Sequence, residues 1–328
     1  MIKLLMNNLE KHTDLFFKQY NLEKRNYNII VHGKNGLGKF DFIINILNNY
    51  FKKNNIAITD FFTHPDTYYL SLPLYDKSGK IIRSIDNNER LLYEYGFEDS
   101  FDSYRVGSEI TIDQIRKLIE FTQFSPTERH KIIIINNCNY LNKESSAALL
   151  KTLEETESPS IFFLLSSEIS NVRDTIISRC HLFPYSTNTI ESKYNSLYSF
   201  FISKNPKLEN IITEYDYISC FKDTEDEIAM IFNNKKNSLS YSEEWSQRGS
   251  LYIDYLIDLF SLLMKGPYLK SNSQLTDIYN KLYKKISISS SKAMKIINFL
   301  TKKRGEIKSN VNKKLFYDDL LIVLQKEL

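Results

Sequence analysis

The chain has 328 residues, with 43 basic against 40 acidic side chains for a formal charge of +3, and 42% hydrophobic and 25% charged residues. These values exclude wholesale disorder and a global polycation built for nucleic acid, and the length suits roughly two domains, or three small ones. Glycine is scarce, 9 in 328, against a usual share of about 7%, so each glycine is expected where backbone freedom is required.

The opening segment, MIKLLMNNLEKHTDLFF, reads as an amphipathic helix and not a signal peptide: it carries Glu10 and Asp14 and no small-residue cleavage site. Residues 27–32 (YNIIVH) have the pattern of a short buried strand. A glycine-rich turn follows, then a helix whose Phe42, Ile43, Ile46, Leu47 and Tyr50 share one face. A second strand is expected over Ile56–Phe62, ending at His64-Pro65-Asp66. The stretch from Thr67 to Gly107 is polar and mixed and receives no assignment. Thr111-Ile112-Asp113-Gln114 fits a capping box, opening a helix with Ile112, Ile115, Leu118, Ile119 and Thr122 on one side. Ile132–Ile135 is a β-branched run of the kind found in central parallel strands.

Asn142 is placed to cap the next helix, KESSAALLKTLEE, which stops before Pro159. Ile161–Leu165 is another buried strand. A short helical piece over Asn171–Ile177 leads into Ser178-Arg179-Cys180 and a last strand near Leu182. The alternation over residues 25–185 predicts a parallel α/β sheet, and helical patterns alone follow after about residue 186. No apolar run nears the roughly 18–20 residues needed to span a bilayer. Cys138, Cys180 and Cys220 are too dispersed for a zinc set or disulfide framework. A cytoplasmic, reduced protein with no membrane contact is therefore expected. From Lys265 to Leu328 there are 14 basic and 5 acidic residues, a local balance of +9 that leaves −6 for the first 264. Two readings of that excess stay open: a solvated lysine-rich face, or contact with an acidic partner or nucleic acid.

Residues 33–39, Gly-Lys-Asn-Gly-Leu-Gly-Lys, satisfy GxxxxGK. In such a loop backbone N–H groups converge on phosphate, and Lys39 with the following helix N-terminus supplies positive potential. Gly33, Gly36, Gly38 and Lys39 are thus candidate phosphate-binding residues; the alternative is a tight turn with an incidental lysine. The next position should offer a Mg²⁺-binding hydroxyl but is Phe40. The strand that should end in carboxylates ends in Asn136-Asn137. Nucleotide binding is doubtful on these residues and hydrolysis is not expected. No metal-binding residue is assigned.

Lys131–Glu155, KIIIINNCNYLNKESSAALLKTLEE, resembles the segment around the second nucleotide motif of bacterial clamp-loader ATPase subunits. The aromatic-rich strand at 161–165 and then Ser178-Arg179-Cys180 follow as in that family, and His64-Pro65-Asp66 and the IDQIRKL stretch at 112–118 fall where the family has similar residues. The resemblance implies an AAA+ (P-loop type) α/β domain over residues 1–186, a helical lid over 187–238 and an all-α collar over 239–328. Loss of the Mg²⁺ ligands with retention of Ser-Arg-Cys is similar to the delta-prime type of DNA polymerase III subunit. That similarity implies a subunit without hydrolytic activity of its own, in a hetero-oligomer with tau/gamma-type ATPase subunits and a delta-type subunit. It would act on the sliding clamp and on primer-template DNA through the assembly. Arg179 becomes the candidate arginine finger toward ATP held by a neighbour, with an internal salt bridge as the bland alternative. Ser178 would orient the local helix, and Cys180 would pack. Ser166 and Ser167 stand where the family has a nucleotide-sensing residue, though a structural role is favoured. Many relatives carry a four-cysteine zinc module after the first helix; residues 51–110 have no cysteine, so no zinc and no other cofactor is expected. A relaxed-ligation NTPase and a paralogous interaction module outside replication are the competing functions.

Overall fold

The computed structural model describes residues 2–23, 26–56, 61–94, 101, 104–155, 158–186, 196–204, 208–209, 212, 218–233, 237–269, 274–306 and 312–327. The chain divides into two compact units, one comprising residues 1–90 and 101–190 and the other residues 91–100 and 191–328. The expected boundary at 186/187 abuts residues 187–195, which lie outside the described residues. Residues 191–238 of the expected lid and the whole expected collar fall in the second unit, and residues 234–236 beside their boundary are likewise outside the described residues.

In the first unit, α1 (Ile2–Gln19) is followed by β1 (Tyr27–His32), α2 (Lys39–Lys53) and β2 (Thr67–Leu70). Then come β3 (Pro73–Tyr75), β4 (Ile81–Ser84), α3 (Asn87–Glu94, of which only residues 87–90 belong to this unit), β5 (Arg105–Val106), α4 (Ile112–Gln123) and β6 (Lys131–Ile135). The unit closes with α5 (Lys143–Glu154), β7 (Ser160–Ser166), α6 (Asp174–Ile177) and β8 (His181–Pro184). Five strands form one all-parallel sheet in the order β2-β6-β7-β1-β8. The central strands are apolar on both faces, as a sheet covered by helices on both sides requires. Phe42, Ile43, Ile46, Leu47 and Tyr50 of α2 are all buried, packed with Ile29, Val31, Phe163 and Phe183 of the sheet and Phe16 of α1. Each such side chain contributes about 1.5–3 kcal/mol of burial.

The strand expected over Ile56–Phe62 is not where the sheet places it. Phe61–Thr63 is a 3-10 turn, residues 57–60 lie outside the described residues, and the strand begins at Thr67. The reason is Asp66: its carboxylate accepts the Thr127 and Glu128 amides (2.9 and 2.7 Å) and the Lys131 ammonium (3.0 Å). His64-Pro65-Asp66 therefore leads into the strand beside β6. The unassigned stretch after it contains an antiparallel sheet in the order β4-β3-β5. The Thr111 capping box is present in full: the Thr111 side chain accepts from the Gln114 amide, and Gln114 reaches back to the Thr111 amide. Asn142 caps α5 through the Ser145 amide at 2.9 Å.

The second unit is helical among its described residues: α7 (Leu197–Lys204), α8 (Ile218–Phe232), α9 (Ser242–Ser246), α10 (Gly249–Lys265), α11 (Gln274–Lys285), α12 (Ser290–Glu306) and α13 (Lys313–Glu327). Its core holds a charged node. Arg248 is 1% exposed and makes a bidentate pair with Glu227 at 2.7 Å for each bond. Trp245 Nε1 donates to the same carboxylate at 2.9 Å, and Arg248 also donates to Tyr252 Oη at 2.7 Å. Burial alone would push the guanidinium down, but the Glu227 hydrogen bonds and charge outweigh it and hold Arg248 protonated. Part of the C-terminal basic excess is neutralised within the unit. Lys285 pairs with Asp226, Lys303 with Asp319 and Arg304 with Asp254.

Candidate functional site

The phosphate-type loop leaves the carboxyl end of β1, the position where parallel α/β sheets bind ligands. Its anchors are the flanking strands: the Gly33 amide donates to Ser166 O at 3.1 Å, and the Tyr185 amide to His32 O at 2.8 Å. A Cβ on Gly33 would lie 2.0 Å from the Tyr185 carbonyl oxygen, so no other residue fits without moving backbone. Gly36 (φ 74°) and Gly38 (φ 86°) are left-handed, and Gly38 sits at the N-cap of α2. Lys39 is buried, and its ammonium donates to Gly33 O (2.6 Å) and Lys34 O (2.8 Å). Burial, then the Lys39 charge, push the pKa of the adjoining His32 down. Gly33, Gly36, Gly38 and Lys39 thus share one loop between β1 and α2, with the Lys39 ammonium folded onto the loop's own carbonyls.

A divalent cation does not fit the same site. The Phe40 ring stacks on Phe62 at 6.2 Å and meets Tyr69 edge-on at 5.7 Å. Asn136, at the carboxyl end of β6, is buried and spends its amide donors on Tyr69 Oη (2.9 Å) and Asn87 Oδ1 (3.1 Å). The position that would orient a water thus fastens β2 to α3. Ser166 Oγ is buried beside the loop without a hydrogen-bond partner among the described residues, and the Ser167 amide reaches Asn139 Oδ1 at 3.3 Å. No group of three His, Cys, Asp or Glu side chains among the described residues converges as metal ligands would.

Ser178, Arg179 and Cys180 lie elsewhere. They connect α6 to the amino end of β8, whose His181 pairs with Ile29. Asn28 ties this edge together, its amide donating to Leu153 O (2.7 Å) and Arg179 O (3.2 Å). Because the sheet is parallel, the loop after His32 is at the other end of β1. His32 lies four residue steps beyond Asn28, roughly 13 Å of extended strand, and the turn adds to it. Arg179 cannot reach this chain's own loop.

The Arg179 guanidinium is 30% exposed and pairs with the Glu154 carboxylate through Nη2 and, at 2.6 Å, through Nε. Its Nη1 donates to Thr175 O (3.0 Å) and Ser178 Oγ (3.2 Å). Ser178 in turn donates to Thr175 O at 3.1 Å, closing the last turn of α6. The Cys180 thiol is pushed up to about 12 by burial, which leaves it a neutral packing group at physiological pH. Sequence reasoning weighed a salt bridge for Arg179 but missed its partner. Glu154 lies inside the KTLEE run, a signal in plain view that spacing alone does not connect to residue 179.

Among the described residues no helix is long and apolar enough to cross a membrane. The chain is 34% identical over 77 residues to the DNA polymerase III subunit gamma of Buchnera aphidicola subsp. Acyrthosiphon pisum, covering 23% of this chain and 21% of that protein. It is 33% identical over 95 residues to the DNA polymerase III subunit delta' of Haemophilus influenzae, covering 28% and 29%. The chain thus spans less than a third of the length of these relatives. A solved DNA polymerase III gamma subunit-related protein from Thermotoga maritima aligns at 16% identity and a TM-score of 0.48, over 98% of this chain and 99% of that one. The model of the family "DNA polymerase III, delta subunit" matches residues 9–189, more than half of the sequence and nearly all of the first unit. With that match, the chain belongs to the DNA polymerase III, delta subunit family.

Proposed function

We propose that the chain is a delta-prime-type clamp-loader subunit that does not hydrolyse ATP itself and supplies Arg179 to ATP held by a neighbouring tau/gamma-type subunit. The observation that carries this reading is the separation of Arg179 from its own phosphate-type loop, at opposite ends of β1. An arginine so placed is out of reach of its own loop, which supports service to a phosphate on another molecule. Its planar, permanently charged fork suits the charge that develops on a transferring phosphoryl group. The aromatic packing of Phe40 and the engaged Asn136 amide support absence of Mg²⁺-dependent chemistry in this chain. The proposed partnership with tau/gamma-type and delta-type subunits, action on the sliding clamp and delivery to primed DNA draw support from the family match and from the gamma and delta' relatives.

The test is a reconstituted assembly carrying Arg179→Ala. Turnover at the adjoining ATP site falls on the order of 10³-fold or more, with loss of clamp loading. Unchanged DNA-dependent ATPase and loading would sink the assignment. A second reading, an NTPase with relaxed metal ligation, draws on the intact cradle around Lys39. Hydrolysis of Mg-ATP by the purified chain, abolished by Lys39→Ala, would favour it.

A further inference from the structure

We infer that Glu154 is a positioning residue that holds the Arg179 guanidinium on its own subunit until a neighbour's phosphate displaces it. This rests on the proposed trans role of Arg179. All three guanidinium nitrogens are engaged by this chain: Nε and Nη2 by Glu154, and Nη1 by Thr175 O (3.0 Å) and Ser178 Oγ (3.2 Å). The Nε/Nη2 edge, one of the two bidentate edges of the fork, is taken by a carboxylate. Phosphate can bind that edge only in place of Glu154, an exchange of one anion for another with no covalent change.

The hold is built into the fold and is not a chance surface meeting. Glu154 is the last residue of α5, and the carbonyl of the preceding Leu153 is fixed to β1 by Asn28 at 2.7 Å. The same Asn28 amide bonds the Arg179 carbonyl at 3.2 Å. One side chain therefore sets the spacing between the backbone that carries the acid and the backbone that carries the arginine. The ion pair itself is open to water, with Glu154 49% and Arg179 30% exposed. Such a pair is weak, so release is easy once a phosphate with greater charge arrives. A free subunit keeps the arginine parked, and an assembled one surrenders it.

Removing the charge of Glu154 lowers the hold without removing the arginine. In the reconstituted assembly, Glu154→Gln is expected to raise kcat of the DNA-independent ATPase about two- to fivefold, the range an exposed pair can supply, with KM unchanged. The gain must vanish in the Arg179→Ala background, because Glu154 acts only through that side chain. The thermal midpoint of the variant subunit should match the wild type, since the pair is exposed. Glu154→Ala should move kcat in the same direction. An unchanged or lower kcat in Glu154→Gln, with Arg179→Ala still inactive, overturns the role of Glu154 and leaves the finger standing. A gain that persists without Arg179 overturns it as well. If Arg179→Ala alone changes nothing, the finger reading falls and takes this inference with it.

Discussion

Asp66→Ala tests how the first unit is pinned together. Asp66 is 1% exposed and its partner Lys131 6% exposed, with Nζ 3.0 Å from the carboxylate. The substitution leaves a buried ammonium whose remaining contacts are Pro65 O, a long 3.4 Å, and the Phe121 ring at 4.5 Å. It also strips the Thr127 and Glu128 amides of their acceptor. Breaking a buried pair by deleting one partner costs about 3–5 kcal/mol, and the lost amide bonds are part of that sum. The assay is urea unfolding followed by hydrogen exchange at the β6 amides. The single Trp245 belongs to the second unit and serves as an internal reference. Asp66→Ala with Lys131→Met should recover most of the loss, because no charge then stays buried. A loss under about 1 kcal/mol in Asp66→Ala, or a double variant no better than the single one, would refute the reasoning. The pH dependence has a definite sign. Burial would raise the Asp66 carboxyl, but two amide bonds and Lys131 outweigh it and hold the group below the usual carboxylate range. Its contribution is thus complete above the unfolded value of about 3.9 and is lost as pH falls through the lower folded value. Asp66→Asn should flatten the acid limb of the stability profile.

In the second unit, Arg248→Met leaves the buried Glu227 carboxylate without its counter-charge and should destabilise by about 3–5 kcal/mol, read by Trp245 fluorescence, since the indole donates to that carboxylate at 2.9 Å. Gly33→Ala forces the Tyr185 carbonyl to move from a 2.0 Å clash. Crowding of this kind costs about 1–3 kcal/mol, and a thermal midpoint within a degree of wild type would contradict the stated packing. Thr111→Ala removes the capping box of α4 and should cost about 1 kcal/mol, with Thr111→Ser restoring most of it.

Local chemistry made much of the fold legible. The capping box at Thr111, the Asn142 cap and the runs at 132–135 and 161–165 announce their elements, because a cap is a contact within four residues and a doubly covered strand must be apolar throughout. The placement of β2 was not legible. Thr67-Tyr-Tyr-Leu is short and mixed, and it becomes a strand because β6 pairs with it and Asp66 is clamped by residues 127, 128 and 131. Asn136 could be read only as a missing carboxylate. Its use as a fastener to Tyr69 and Asn87 depends on side chains 67 and 49 positions away.

The sequence by itself determined that a glycine-rich phosphate-type loop follows a buried strand, that its metal ligands are absent, and that Ser178-Arg179-Cys180 follows in family order. Scarce glycine made the loop conspicuous. Only the tertiary structure decided that the loop and Arg179 lie at opposite ends of β1, and that Glu154 holds the arginine from 25 positions away. The physical reason is that caps, glycine turns and apolar runs are local properties of the chain, written in neighbouring residues. The end of a parallel sheet on which a side chain emerges, and the partner it finds there, depend on strand order and direction, which arise only when distant segments pair.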